Sequence, residues 1–329
     1  MGGLEALLTF PFFVAGAVVG TFLTTCIERL PFQEEEMDEE DPPNWYYHIP
    51  LFSMFIALPL YTRFRSLTPA ARCPACRHRL SWHERIAIIS FIKQGGRCLH
   101  CQYKIPGRHL IVEITTGLLF AAAILLLGFK VRLPIALFLI PLFVIATTVD
   151  FRFHIIPDEV SAAGLIGGFA WATGWTLYKT GHFFYLNREA PLELIFAKGV
   201  LTPQYALGWS ITGFLVGAGT LWLFHLVGSA YAGTDAMGFG DVKLAGFIGL
   251  FLGPLQVFIS LAWAMTLGAI AGIFIKLSGG GKAHGGYTAF AFGPYICAGA
   301  LIVLYLGVEG PLGTRIQNMI FVTQILLTQ

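Results

Sequence analysis

Two aspartates about ninety residues apart stand where an apolar chain has little reason to carry them. Asp150 closes the apolar run Leu133 to Val149, and Asp241 sits in Gly238-Phe239-Gly240-Asp241-Val242-Lys243, just where a long apolar segment is about to resume. An ionisable side chain at membrane depth is costly, so it usually has a functional reason. Gly238 and Gly240 would allow positive φ angles or the close approach of another backbone, as a peptide substrate requires. The plainer reading makes Asp241 a helix cap after a glycine turn. Two carboxylates held close cannot both ionise and so share a proton. The ionised member can then take a proton from water while its protonated partner polarises a carbonyl. A second constellation is Cys73-Pro-Ala-Cys76 with Cys98-Leu-His-Cys101, two CxxC knuckles with 21 residues between them. Four thiolates at this spacing suit tetrahedral zinc, with a redox pair as the alternative.

The elements that must position these groups are membrane helices. At 56% hydrophobic and 12% charged residues, the 329-residue chain is too apolar for a soluble domain. Eleven of its 21 Lys and Arg, from Arg29 to Arg108, fall between the first and second apolar spans. The positive-inside rule makes that loop cytoplasmic and puts the amino terminus outside. Nothing in the charge pattern points to nucleic acid; the partner read from composition is the lipid bilayer. The fold class expected is an all-α polytopic membrane protein with about eight transmembrane helices and a small zinc-stapled cytoplasmic domain between helices 1 and 2.

In chain order the spans expected are Leu7 to Ile27, Leu110 to Phe129, Leu133 to Val149, Val160 to Tyr178, Tyr205 to Val227, a short or broken one from Val242 to Gly253, then Val257 to Ile275 and Ala289 to Leu306. Ile49 to Tyr61 reads as a segment lying at the interface or packed under the cytoplasmic domain, Ile316 to Leu327 as an interfacial helix in preference to a marginal ninth span, the acidic run Glu34 to Asp41 as solvated, and Lys179 to Gln204 as a polar connection. The domains expected are residues 1–28 as the first helix, 29–109 as the zinc loop, 110–315 as a seven-helix core and 316–329 as an interfacial tail. On this count Asp150 and Asp241 reach the same membrane face. Asp158, directly after Pro157, reads as the cap of the fourth span or as a substrate contact. Glu113 reads as a cavity-facing contact for a substrate's amino terminus, or as a helix-entry carboxylate favoured by the macrodipole. Gly238 and Gly240 are further candidates for a substrate's backbone. Lys243 would anchor at headgroups or meet acidic groups, and Cys26 and Cys297 read as buried small residues.

Taken together, the motifs resemble the bacterial type IV prepilin peptidases, membrane aspartic proteases of the GxGD kind. The resemblance runs in order through Gly20-Thr21-Phe22-Leu23, Arg29-Leu30-Pro31, the two CxxC pairs, Val112-Glu113, Asp150 with Ile156-Pro157-Asp158, Gly238 to Leu244, and Phe292-Gly293-Pro294-Tyr295. It implies cleavage after a glycine of the leader on prepilin and pseudopilin N-terminal segments, at the cytoplasmic face of the bacterial inner membrane. It implies Asp150 and Asp241 as the catalytic pair, and in many members methylation of the new amino terminus from S-adenosyl-methionine. No residue fingerprint for that methyl donor stands in the sequence, and monomer and dimer both stay open. Thr21 and Thr24 stand where the family commonly has a serine and an asparagine. Arg152 replaces a frequent acidic residue. The other class that pairs intramembrane carboxylates is the ion- or proton-coupled transporter.

Overall fold

The computed structural model describes residues 3–29, 86–186, 207–232, 237–277 and 291–307, together with residues 73, 75, 76, 78, 81 and 84. All regular structure among them is helical, apart from one isolated antiparallel bridge between Arg97 and Lys104. The helices are α1 (Gly3–Arg29), α2 (Ala87–Gln94), α3 (Gly107–Leu127), α4 (Arg132–Phe153), α5 (Asp158–Leu186), α6 (Leu207–Ala232), α7 (Phe239–Leu252), α8 (Pro254–Leu277) and α9 (Gly293–Leu306). Five of them, α1, α3, α4, α6 and α8, are long and apolar enough to cross a membrane. Their outward surfaces carry side chains such as Leu7, Phe10, Leu118 and Phe274, as a lipid-facing surface requires.

The remaining three helices of the bundle depart from a simple span in different ways. At 29 residues α5 is the longest, and it runs eight residues past Tyr178, where a polar connection was expected. The Lys179-Thr180-Gly181 stretch contains no proline, and polarity alone does not end a helix once it has left the apolar layer. At 14 residues each, α7 and α9 reach about 21 Å, short of the roughly 30 Å hydrocarbon layer. A half-length helix is tolerated where protein surrounds it. Almost every residue of α7 from Asp241 onward is buried, with α5, α6, α8 and α9 packed around it. It ends at Gly253, whose φ of +79° reverses the chain so that Pro254 can open α8. The break expected at Gly253-Pro254 is therefore real. Ile49 to Tyr61, Glu34 to Asp41 and Ile316 to Leu327 lie outside the described residues.

Glycine sets the closest helix contacts. The Cα of Glu113 on α3 lies 2.7 Å from where a Cβ on Gly20 of α1 would stand, and the Thr116 carbonyl oxygen lies equally close to Gly16. Any side chain at either position would force α1 and α3 apart. The same logic joins α6 to α7, where Gly213 and Gly249 touch backbone to backbone. With α1 and α3 antiparallel neighbours and α4 returning beside them, the far end of α4 comes back to the side from which the segment bearing α2 projects. That end carries Asp150.

Candidate active site

Asp150 stands in the last turn of α4 and Asp241 in the first turn of α7. Both are buried, at 5% and 9% exposure, in a largely apolar bundle. They lie near enough for their charges to interact, and Cys297 of α9, itself buried, is close to both. The ends of three elements make this possible. His154, at φ +57°, stops α4 with its N–H donating to the Asp150 carbonyl at 2.9 Å. Gly238, at φ −65° and ψ 138°, opens α7 in extended conformation. The short helix α9 starts at Gly293, whose N–H donates to Asp150 Oδ2 at 2.9 Å.

Of the two roles expected of the glycines in Gly238-Phe239-Gly240, positive φ or the close approach of another backbone, the positive φ is absent. Gly240 is needed for close approach, but the group approaching is Ile156 of the α4–α5 turn, 3.0 Å from where a Cβ would stand. A Cβ on Gly238 would meet open space. Among the described residues, the Phe292-Gly293-Pro294-Tyr295 motif supplies the backbone donor on Asp150, a role its sequence alone did not report.

Glu113 does not have the open carboxylate that a substrate contact needs. It is fully buried, and its oxygens accept from the Ala87 N–H at 2.7 Å, the Ile88 N–H at 2.9 Å and the Thr21 hydroxyl at 2.8 Å. The first turn of α2 has backbone N–H groups without intrahelical partners, and the carboxylate satisfies two of them. Thr21 keeps the hydroxyl that a serine would provide. Asp158 is likewise engaged: its Oδ1 accepts from Lys243 Nζ at 2.6 Å, so the carboxylate in the first turn of α5 is an ion-pair partner. Lys243 meets an acidic group, one of the two fates expected of it.

The four cysteines come together. Cys73 Sγ and Cys101 Sγ are 3.6 Å apart, Cys76 Sγ and Cys98 Sγ are 3.9 Å apart, and all four sulfurs lie within 4.8 Å of one another. A tetrahedral ion with Zn–S bonds of about 2.3 Å needs sulfurs about 3.8 Å apart, so the quartet fits zinc. None of the four is in a disulfide. Cys73 and Cys98 are buried while Cys76 and Cys101 are exposed, as expected for a staple at the edge of a small lobe.

Two family models match the chain in sequence. The Bacterial Peptidase A24 N-terminal domain matches residues 14–127, and the Type IV leader peptidase family model matches residues 137–273, a stretch that carries both aspartates. The chain belongs to the type IV leader peptidase family. It is 28% identical over 295 residues to a prepilin leader peptidase/N-methyltransferase of Stutzerimonas stutzeri, covering 89% of each chain. Proteins with the same description from Pseudomonas putida and Aeromonas hydrophila are each 27% identical over 301 residues, which is 90% of this chain. They are covered over 90% and 89% of their own lengths. No solved structure matches the chain significantly. With its apolar helices, this family member is a multi-pass inner-membrane protein.

Proposed function

We propose that the chain is a membrane-embedded aspartic endopeptidase that removes the leader from type IV prepilins and pseudopilins after a glycine, with Asp150 and Asp241 as its catalytic pair. The observation that carries this reading is the convergence of two buried carboxylates from α4 and α7 at one end of the bundle. The Gly293 N–H is directed at Asp150 alone, which makes the two acids inequivalent. A carboxylate oxygen that accepts a backbone N–H is held in a fixed place and orientation, as a base toward water must be. Asp150 is therefore assigned the role of base toward water, and Asp241 the protonated partner that polarises the scissile carbonyl. As the tetrahedral intermediate collapses, the proton taken by Asp150 passes to the departing amine, and the pair returns to its singly protonated state.

The zinc lobe of residues 29–109 is assigned to the cytoplasmic side by its basic charge. The connectivity of α2, α3 and α4 supports the aspartates lying at that same face, where a leader would be presented. The membrane core begins at residue 110, with residues 1–28 as a first helix. Cys73, Cys76, Cys98 and Cys101 would hold a structural zinc, which supplies cross-linking and no catalytic step. N-methylation of the new amino terminus, from S-adenosyl-methionine, is supported by the relatives' description; no residues here are assigned to the methyl donor. Ion-coupled transport, the other class with paired buried carboxylates, draws no support from the relatives.

The test is a purified chain incubated with a prepilin and labelled S-adenosyl-methionine, with leader release and label followed separately. Leader release with label is the full activity, and release alone restricts the chain to proteolysis. An intact prepilin refutes the proposal.

A further inference from the structure

The α4–α5 turn touches every element that carries part of the site. Ile156 packs under Gly240 of α7, and its Cδ1 lies 3.3 Å from where a Cβ on Gly293 of α9 would stand. Two residues later, Asp158 Oδ1 accepts the 2.6 Å hydrogen bond from Lys243 Nζ of α7. The Lys243 and Asp158 side chains are 10% and 23% exposed, and the Phe239 ring lies 5.8 Å from the ammonium. A charge this deep is tolerated when paired, and removing one partner strands the other. Lys243 is two residues past Asp241, so at about 100° per residue its side chain leaves α7 on roughly the opposite side. It therefore does not neutralise Asp241. What it grips is Asp158 at the start of α5, which ties that helix to the one that bears Asp241.

We propose that Lys243 and Asp158 are positioning residues: their ion pair clasps the first turns of α7 and α5 together and so sets the distance at which Asp241 faces Asp150. Neither touches the reacting atoms. The clasp acts on the geometry of the pair and leaves the leader's binding surface alone, so its loss falls on kcat and not on KM. This inference rests on the two aspartates performing the cleavage.

The experiment measures kcat and KM for a prepilin peptide with the purified full chain and its Lys243→Met, Asp158→Asn, double Lys243→Met/Asp158→Asn and Lys243→Arg variants, alongside their melting temperatures. Each single loss lowers kcat about tenfold or more, as a misplacement of a few tenths of an ångström does, and leaves KM within about twofold. The double variant loses no more than the worse single one, because both remove the same contact. Lys243→Arg keeps a cation at the site and returns kcat to within about threefold of the parent. The double variant strands no charge, so it carries the test even where a single variant fails to fold. A double variant that cleaves at the parent rate overturns the clasp, as do losses that multiply or an effect confined to KM. Asp150→Asn in the same assay checks the underlying reading separately: if it still cleaves, the aspartate pair is wrong whatever the clasp variants do.

Discussion

Replacing Gly293 by alanine puts one methyl group against the side chain on which the chemistry is proposed to rest. Its Cβ would stand 2.7 Å from Asp150 Oδ2 and 3.3 Å from Ile156 Cδ1. Ordinary contact begins at 3.4 Å, so the carboxylate oxygen is about 0.7 Å too near. The φ angle at Gly293 lies outside the left-handed region, so alanine adds no backbone strain and the effect is purely one of space. Ile156 is itself held against Gly240, which leaves the Asp150 carboxylate or the start of α9 to move. Either motion stretches the 2.9 Å bond from the Gly293 N–H. A misplacement approaching 1 Å costs about a hundredfold in rate, so Gly293→Ala is expected to lower kcat by about 10- to 100-fold. That corresponds to about 1.4–2.7 kcal/mol in activation free energy. Overpacking by one methyl destabilises the fold by about 1–3 kcal/mol, and the bundle survives that. The assay is leader-peptide cleavage by purified protein with a melting curve on the same sample. A folded Gly293→Ala variant that cuts at the parent rate would refute the placement of Asp150 beside α9.

Three further outcomes are expected. Glu113→Ala leaves the Ala87 and Ile88 N–H groups without their acceptor, at about 2 kcal/mol in all, while the Thr21 hydroxyl still reaches the Ala17 carbonyl at 3.3 Å; amide exchange at residues 87 and 88 should accelerate while the bundle amides hold. Elemental analysis should find about one zinc per chain, and chelation or acidification should release it as the thiolates are protonated, with a lower melting temperature. Glu84 accepts from the Ser81 hydroxyl at 2.6 Å and from the Ser81 N–H at 2.9 Å, and the hydroxyl bond chiefly holds its carboxyl below the usual glutamate range. The stabilisation is complete above the ordinary glutamate pKa of about 4.3 and fades as pH falls through the lowered folded value. Glu84→Gln should therefore cost the lobe about 1 kcal/mol at neutral pH, with the gap to the parent closing below about pH 4 in amide exchange.

What could be read from the chain depended on how far apart the partners were. The cysteine quartet was legible because each CxxC knuckle is local and its spacing specifies a ligand geometry. The helices were legible because long apolar runs leave a backbone in lipid few choices. The half-length of α7 showed in Gly253-Pro254. Its counterpart α9, expected from Ala289, is a 14-residue helix that starts at Gly293, where the backbone donor is needed for Asp150. The partners of Glu113 could not be read from the chain because they lie on α2, 25 and 26 residues earlier, across a loop whose folding no local pattern reports. Asp158 was read as a cap or a substrate contact from its place at the start of a helix. Its ion-pair partner Lys243 is 85 residues away.

The central claim is that Asp150 and Asp241 are two halves of a single catalytic device. Its most direct measurement is the cleavage rate of a prepilin leader by Asp150→Asn and Asp241→Asn, each purified and shown to melt like the parent. Either amide should bring cleavage down to background, because neither a lone base nor a lone acid completes the proton cycle. Substantial turnover by either one would contradict the account.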